Sequence, residues 1–270
     1  MKILYFYQYF STPNGSWGTR VFDFASNWVK QGHEVTVVSS IYSKSDLKAK
    51  KIIETQSYNG IKVKVINTII DNKQPKIQRI WTFIKYAFIS TYFAVVLPAD
   101  VVIASSGPIT VGLPGLAAHY LRRRKLVFEA RDLWPEGAIE LGMIKNPVIK
   151  RLSFWFEKRC YKASSLIVSL SPGMQRYIID KHKHPNVISV TNAANIELFS
   201  TPQVSIEIPS LNNRKYAVYT GNIGKVNNSA WLLDAALELK KINRQDVVIL
   251  LVGDGQMKDL LMKKARDLGL

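Results

Sequence analysis

A cluster of charged residues directly follows one of the short apolar runs in the chain. Residues 129–136, EARDLWPE, continue from the run 126–129, which is typical of a buried strand. In open α/β sheets the carboxyl ends of strands line the ligand crevice, so Arg131 and Asp132 are candidate catalytic residues. A structural ion pair between these two side chains is the alternative. Trp134 suits either the hydrophobic core or a surface on which a ligand stacks.

A glycine-containing turn near the N-terminus has residue types that suit a phosphate group. Residues 11–20, STPNGSWGTR, contain Gly15 and Gly18 and end in Arg20. Glycines let the backbone approach a ligand, and a helix start offers free N–H groups and partial positive charge. An ordinary turn between a strand and a helix explains the same residues equally well. The spacing of Gly15 and Gly18 differs from G-x-G-x-x-G, which disfavours a nicotinamide-dependent enzyme.

A second set of glycine turns lies towards the C-terminus. Residues 219–225, YTGNIGK, include Gly221, Asn222 and Lys225, and the turn 253–255, GDG, follows the next apolar run. Backbone amides and Lys225 could meet a diphosphate there from the opposite side. Each turn alone is a weak signal, but one turn after each strand of a new domain favours a phosphate site.

The elements that must position these residues alternate between strands and helices. After Gly18, one helical face collects Val21, Phe24, Ala25, Trp28 and Val29, and Gly32 suits the C-terminal cap. Alternating strands and helices predict a doubly wound α/β fold with a parallel sheet covered on both faces. The predicted strands lie at 3–7, 35–39, 61–66, 101–104, 126–129, 166–170 and 187–190.

The chain is long enough for two domains. We predict an N-terminal domain at 1–200, a linker at 201–215 that is rich in turn formers, and the beginning of a second domain at 216–270. Strands at 217–219 and 247–252, the latter fully buried, and helices at 229–241 and 257–268 are expected in the second domain. Two strands and two helices bury too little to close an α/β domain, so we expect it to be incomplete.

The segment 80–97, IWTFIKYAFISTYFAVVL, is apolar and contains a single charge, Lys85. Because it lies between strands of one α/β domain, a spanning helix would disrupt the sheet. A buried core helix is one interpretation. The other is an interfacial helix with Trp81 and Lys85 on the membrane or acceptor side, near Lys76 and Arg79.

The charge and composition of the chain limit the classes of ligand and partner that it is expected to bind. The formal charge of +17 suits phosphorylated ligands or an anionic membrane, whereas scattered basic residues and a single run at 122–125 disfavour nucleic acid. The only cysteine, Cys160, is expected to pack in the core, and no secretory signal is evident, so a cytoplasmic protein is expected. His182 and His184 lack ligands at metal spacing and are expected in a solvated turn.

Several motifs, taken in order, resemble family 4 glycosyltransferases, and the 131–136 form is similar to the branch that assembles bacterial surface polysaccharides. The resemblance covers nearly the whole chain. The motifs are QGHEVTVV at 31–38, RDLWPE at 131–136, SLSPGM at 169–174, TNA at 191–193 and LVGDG at 251–255.

This resemblance implies a GT-B fold, a nucleotide-diphosphate sugar as co-substrate, a saccharide or lipid-linked acceptor, and transfer with retention. It implies neither a cofactor nor a metal. Arg131 and Asp132 would flank the reacting centre, with Trp134 on the acceptor side. The residues expected near the donor diphosphate are Gly15, Gly18 and Arg20 in one lobe, and Gly221, Asn222 and Lys225 in the other.

The chain also departs from the family pattern. Many relatives have histidine where this chain has Arg131, and Asn222 with a lone Lys225 replaces their phosphate-binding pattern. By this resemblance, the glutamate pair that grips the donor in relatives is expected beyond residue 270. Two alternatives therefore stay open, a sugar-nucleotide epimerase on the same scaffold and a binding module without turnover.

Overall fold

The computed structural model describes residues 1–71, 74–200, 214–224, 227–244 and 246–270. The chain divides into two compact units, Met1–Ala193 and Ala194–Leu270. Residues 201–213, most of the predicted linker, lie outside the described residues, as does Lys225. The boundaries 1–200, 201–215 and 216–270 stay predictions.

The first unit alternates strands and helices along its whole length. Its strands, β1 to β8, are Lys2–Phe6, Glu34–Tyr42, Ile53–Tyr58, Ile61–Ile70, Val101–Ser105, Lys125–Ala130, Leu166–Ser169 and Val187–Ser189. Its helices, α1 to α6, are Arg20–Lys30, Lys76–Val96, Gly112–Arg122, Glu136–Glu140, Pro147–Ala163 and Pro172–His182.

These strands form one sheet in the order β3-β4-β2-β1-β5-β6-β7-β8. All neighbours are parallel except β3 and β4. The chain first builds the sheet outward from β1 through β2, then returns to β5 on the other side of β1. The loops after β1 and β5 therefore diverge, and such a reversal is where doubly wound sheets bind ligands. The predicted α/β fold is confirmed.

Both faces of this sheet are buried. On β1, Leu4 and Phe6 belong to a cluster that includes side chains of α2, α3, α5 and α6. Ile3 and Tyr5 of β1, and Tyr7 directly after it, belong to a second cluster that includes side chains of α1. Continuous apolar strands predict burial of this kind, because each successive side chain points to the opposite face.

The edge strand β3 was not predicted. It is antiparallel to β4 and its residues alternate between half-buried and exposed. Asn59 and Gly60 form the turn between the two strands, with φ angles of 49° and 79°. Asn-Gly is the favoured pair for such a hairpin turn, so this dipeptide was the available signal.

The apolar segment 80–97 forms most of helix α2. Tyr86, Phe93 and Ala94 belong to the core, and the Tyr86 hydroxyl donates to the Val38 carbonyl at 2.7 Å. One side of α2 is thus packed in the hydrophobic core. Within the described ranges, no helix combines the length and apolar character needed to cross a membrane.

The second unit contains α7 (Ile196–Ser200), β9 (Lys215–Thr220), α8 (Trp231–Lys241), β10 (Val247–Val252) and α9 (Lys258–Asp267). The two strands are parallel neighbours, and Ile223, Leu233 and Leu261 form a small core. The expectation of a fully buried strand at 247–252 was wrong, because β10 is half-buried with Val252 exposed. In the described part of this unit β10 pairs only with β9, so less of it is covered. Leu260 on α9 is also exposed.

Candidate functional site

The segment that contains Arg131 and Asp132 begins at the carboxyl end of β6, beside the reversal of strand order. The Arg131 backbone N–H donates to Ser106 Oγ at 2.9 Å, and the Ser106 N–H donates to the Glu129 carbonyl at 2.8 Å. The Arg131 guanidinium lies over the Tyr7 ring, with Cζ 5.0 Å from the ring centroid. The ends of β1, β5 and β6 are thereby brought together.

The side chain of Arg131 is only partly used by the protein. Its Nη1 atom is buried and has no hydrogen-bond partner among the described residues. A buried donor without an acceptor is costly, so this atom suits an oxygen of a bound ligand. Asp132 is exposed, and the two side chains form no ion pair with each other in the described structure. The structural ion pair between Arg131 and Asp132, which the sequence left open as an alternative, is therefore not formed in the part of the chain that the structure describes.

A buried network centres on Glu129, the residue before Ala130 and Arg131. Its carboxylate accepts hydrogen bonds from the Tyr5 hydroxyl at 2.9 Å and the Ser105 hydroxyl at 2.5 Å. Arg20 Nε lies 2.9 Å from the same carboxylate, and the two side chains are 9% and 4% exposed. Glu129 therefore anchors the strand ends and is not exposed for chemistry.

Arg20 is the first residue of α1 and lies at the carboxyl edge of the sheet. Its remaining nitrogens donate to the carbonyls of Val190 and Thr191, both at 2.9 Å, and to Asn192 Oδ1 at 3.4 Å. The guanidinium thus joins the start of α1 to the residues that follow β8. These protein acceptors already occupy the donors of Arg20. Its contact with a diphosphate stays a prediction.

The turn after β1 is built around Asp46. The carboxylate accepts from the Thr12 hydroxyl at 2.7 Å, the Thr12 N–H at 2.9 Å and the Ser11 hydroxyl at 3.3 Å. Burial raises the pKa of Asp46, but the hydrogen bonds from Thr12 outweigh it, so the pKa is lowered overall. A Cβ on Gly15 would lie 2.1 Å from Ser11 Oγ, whereas one on Gly18 would meet nothing within 4 Å. Packing therefore requires glycine at position 15 and leaves the surface at Gly18 open.

The three residues predicted on the acceptor or membrane side have different environments. Trp81 is 65% exposed on α2. Lys85 Nζ, also on α2, donates to the Asn67 carbonyl at 3.1 Å. Trp134 is half-buried and packs against the core, which is the structural alternative considered for it from the sequence.

In the second unit, the two glycine turns lie backbone to backbone. A Cβ on Gly253 would lie 1.9 Å from the Gly221 carbonyl oxygen, and one on Gly255 would lie 2.2 Å from the Ile223 carbonyl oxygen. The Asn222 side chain donates to Asn227 Oδ1 at 3.2 Å. Close packing of the turns after β9 and β10 therefore explains why Gly253 and Gly255 cannot carry a side chain. Contact of these turns with a diphosphate stays a prediction.

The expectation for His182 was wrong. Its side chain is 9% exposed, packs on the Tyr161 ring with centroids 4.7 Å apart, and lies 3.5 Å from the Glu157 carboxylate. Helix α6 ends at His182, and the local pattern does not show that α5 packs against it. Cys160 is buried as predicted. In the described part of the chain, no group of three His, Cys, Asp or Glu residues could hold a metal ion.

Comparison with solved structures finds proteins of the same fold. Sucrose-phosphate synthase from Thermosynechococcus elongatus aligns over 100% of this chain and 68% of its own, with 11% identity and a TM-score of 0.66. Anabaena HepE, crystallised with UDP and glucose, aligns over 100% and 67%, with 18% identity and a TM-score of 0.60. A Listeria monocytogenes protein described as a UDP-N-acetylglucosamine 2-epimerase aligns over 99% and 66%, with 13% identity and a TM-score of 0.59.

At these identities the likeness establishes the fold, which is of the GT-B type, and the chain spans about two thirds of the length of these structures. Comparison with curated proteins gives no significant match. A family profile, the glycosyl transferase 4-like domain, matches residues 15–192. This match includes Gly15 and Gly18, the Arg131–Asp132 segment and the residues bound by Arg20. The chain therefore belongs to the glycosyl transferase 4-like domain family.

Proposed function

We propose that the protein transfers a sugar from a nucleoside-diphosphate sugar to a saccharide or lipid-linked acceptor, with retention, in the assembly of a bacterial surface polysaccharide. The observation that carries the proposal is the Arg131 guanidinium at the crevice, with its buried Nη1 free of protein partners in the described residues. Three fold neighbours have structures with UDP or a UDP-sugar analogue bound, which supports this class of donor.

The chemistry of the reaction explains the need for such a group. When the glycosidic bond to the donor breaks, negative charge develops on the departing diphosphate. A preorganised cation that is shielded from water lowers the barrier more than the same cation in solvent. Arg131 is held over Tyr7 and by the Ser106 hydroxyl, so little reorganisation is needed when charge develops.

Asp132 has the complementary role in this proposal. Its exposed carboxylate follows Arg131 directly and is able to accept a hydrogen bond from an acceptor hydroxyl. For retention without a covalent intermediate, that hydroxyl attacks on the face from which the diphosphate leaves, and a diphosphate oxygen takes its proton. The new bond forms at the anomeric carbon as the bond to the diphosphate breaks.

The test uses the full-length enzyme with a panel of UDP- and GDP-sugars and acceptors. We expect Arg131→Met and Asp132→Asn to lower turnover by about 100-fold or more, the effect typical of a lost electrostatic or orienting group. Lys62→Met and Glu140→Gln make the same charge changes at exposed positions and should leave turnover unchanged. Wild-type turnover in both site variants would refute the proposed roles. An inverted product anomer, read by NMR, would refute retention.

Sugar-nucleotide epimerisation is the second candidate, because an epimerase-like neighbour shares the fold. The two activities differ in their need for an acceptor. Incubation of the full-length protein with sugar nucleotides alone would give an epimerised nucleotide sugar if the second candidate is correct. Nucleoside diphosphate and a new glycoside, formed only when an acceptor is added, would support transfer.

We also propose that helix α2 contacts an anionic membrane. Ile77, Trp81, Phe88, Tyr92 and Val96 are all exposed and lie on one side of the helix, at spacings of four, seven, four and four residues. At about 1.5 Å per residue this stripe extends for roughly 30 Å along the surface. A shallow apolar groove of about 410 Å³ runs between α2 and α3, lined by Ala87, Phe88, Thr91, Leu113, Leu116, Ala117 and Tyr120.

Positive charge borders this apolar surface. A cavity of about 510 Å³ at the end of α3 is lined by Arg122, Arg123 and Lys125, together with Leu121 and Asp100. Exposed aromatic side chains beside cations suit the interface of a membrane with anionic lipids. A lipid-linked acceptor would be found at such a surface.

Liposome flotation tests this contact. We expect wild-type protein to float with vesicles that contain anionic phospholipid and to remain at the bottom with neutral vesicles. Phe88→Ser combined with Tyr92→Ser should abolish flotation, whereas Ile52→Ser, at another exposed apolar position, should not change it. Equal flotation of wild type and the double variant, or no flotation of wild type, would refute the contact.

A further inference from the structure

A cluster of ionisable side chains lies where helices α4, α5 and α6 meet. Lys181, in the last turn of α6, contacts the Glu136 carboxylate and lies 3.7 Å from the Glu157 carboxylate. The Tyr177 hydroxyl donates to the same Glu136 oxygen at 2.6 Å. His182 Nε2 lies 3.5 Å from Glu157. One lysine therefore faces two carboxylates, each on a different helix.

The two carboxylates differ in their surroundings. The Glu157 side chain is 1% exposed, and its contacts with Lys181 and His182, at 3.7 and 3.5 Å, are longer than the 2.6 Å bond from Tyr177 to Glu136. Glu136 is less buried and has two donors, Tyr177 and Lys181. Lys181 also lies over the Phe154 ring, with Nζ 4.4 Å from its centroid. The lysine is thus held in place and pairs more closely with Glu136.

The partner of Lys181 lies in the segment that contains the proposed reacting groups. Glu136 is four residues after Asp132 and begins α4, directly after the loop 131–135 that contains Arg131 and Asp132. The upstream end of this loop is fixed by the bond from the Arg131 N–H to Ser106. Tyr177 and Lys181 fix its downstream end. The loop is therefore attached at both ends, and the second attachment is ionic.

We propose that Lys181 is a positioning residue, which by binding Glu136 fixes the loop of Arg131 and Asp132, and that Glu157 competes with Glu136 for it. This inference rests on the proposed function of that loop. Lys181 does not touch the reacting atoms in this proposal and acts only through Glu136.

The competition depends on pH. Burial, followed by the charge of Glu136, raises the pKa of Glu157 to about 8. Below this pH Glu157 is neutral and Lys181 pairs with Glu136 alone. Above it, a second negative charge lies 3.7 Å from Lys181 and weakens the hold on the loop.

The neighbouring His182 does not offset this charge. Burial, followed by the charge of Lys181, lowers the pKa of His182, so its imidazole is neutral near pH 8. The titratable groups that face Glu157 or His182 are Glu136, Lys158, Cys160, Tyr161, Lys181 and His184.

The first test measures turnover of the full-length enzyme between pH 6 and 9.5. We expect the wild-type kcat to fall above about pH 8 and Glu157→Gln to remove that fall. Lys181→Met should lower kcat by between about 10- and 100-fold, the usual cost of misplaced reacting groups, while KM for the donor changes little. Lys181→Arg should recover most of the loss. Lys183→Met, an exposed neighbour with the same charge change, should behave as wild type.

The second test does not depend on activity. Amide hydrogen exchange of residues 131–136 in this chain should be faster in Lys181→Met than in wild type at the same pH, and unchanged in Lys183→Met. Wild-type exchange in a folded Lys181→Met protein, or an unaltered alkaline fall of kcat in Glu157→Gln, would overturn the proposal. Faster exchange in a protein without transferase activity would support the contact and refute the proposed function instead.

Discussion

Replacing Arg20 by methionine should destabilise the first unit by several kcal/mol. The guanidinium and Glu129 are nearly buried, at 9% and 4% exposure, with 2.9 Å between Nε and the carboxylate. Methionine keeps the aliphatic volume but leaves a buried carboxylate without its cation, which typically costs about 3–5 kcal/mol. Three further acceptors, on Val190, Thr191 and Asn192, lose their donors.

Urea unfolding followed by tryptophan fluorescence measures this change. Five of the six tryptophans lie in the first unit, so the signal reports mainly on that unit: Trp17, Trp28, Trp81, Trp134 and Trp155. With a slope of about 2 kcal/mol per molar urea, a loss of about 4 kcal/mol moves the midpoint down by about 2 M. Lys62→Met, with the same charge change at an exposed strand position, should stay within about 0.5 kcal/mol of wild type.

A double-mutant cycle separates the ion pair from other effects of the substitution. Glu129→Gln keeps oxygen and nitrogen atoms near Tyr5 and Ser105 but removes the charge. We expect the double variant with Arg20→Met to be more stable than the sum of the single losses predicts, because no buried charge is left unpaired. A loss below about 1 kcal/mol for Arg20→Met, or additive losses, would refute this account of the network. If Arg20→Met stays stable but loses affinity for nucleotide sugars, Arg20 is instead a ligand-binding residue.

Three further predictions concern stability. Gly112→Ala should cost about 1–3 kcal/mol in chemical denaturation, because its Cβ would lie 2.4 Å from Cys160 Sγ, and Cys160→Ala should recover part of that loss; equal costs in both backgrounds would contradict the contact. Asn146→Ala should cost about 0.5–2 kcal/mol in the same assay, because its side chain caps α5 by accepting from the Val148 N–H at 2.8 Å, and an unchanged midpoint would contradict the cap. For Glu157, the folded pKa of about 8 exceeds the ordinary value of 4.5. Wild type should therefore lose stability as the pH rises from about 4.5 to about 8. The stability of Glu157→Gln relative to wild type should grow over that range and level off above about pH 8; a difference in thermal midpoint that does not change with pH would contradict this.

Local pattern was sufficient to predict most elements of the first unit. Apolar runs separated by turn residues predicted seven of its eight strands within a few positions, because a buried parallel strand needs continuous apolar side chains. The missed strand, Ile53–Tyr58, has alternating polarity at a sheet edge, and only Asn59 and Gly60 indicated its hairpin. Motif order predicted the family, which the match over residues 15–192 confirms.

Contacts between residues distant in sequence were decided by the tertiary structure alone. Arg20 pairs with Glu129 across 109 positions, and Lys181 contacts Glu136 across 45. No periodicity records such pairs, because they depend on which strand ends and helices become neighbours once the sheet reverses at β1. The sequence by itself therefore determined the family, the α/β fold class and the candidate segment at Arg131 and Asp132. Only the packing of helices and strands decided that Arg20 is bonded within the protein and that His182 is enclosed beside Glu157. It also left a buried nitrogen of Arg131 without a partner among the residues that the structure describes.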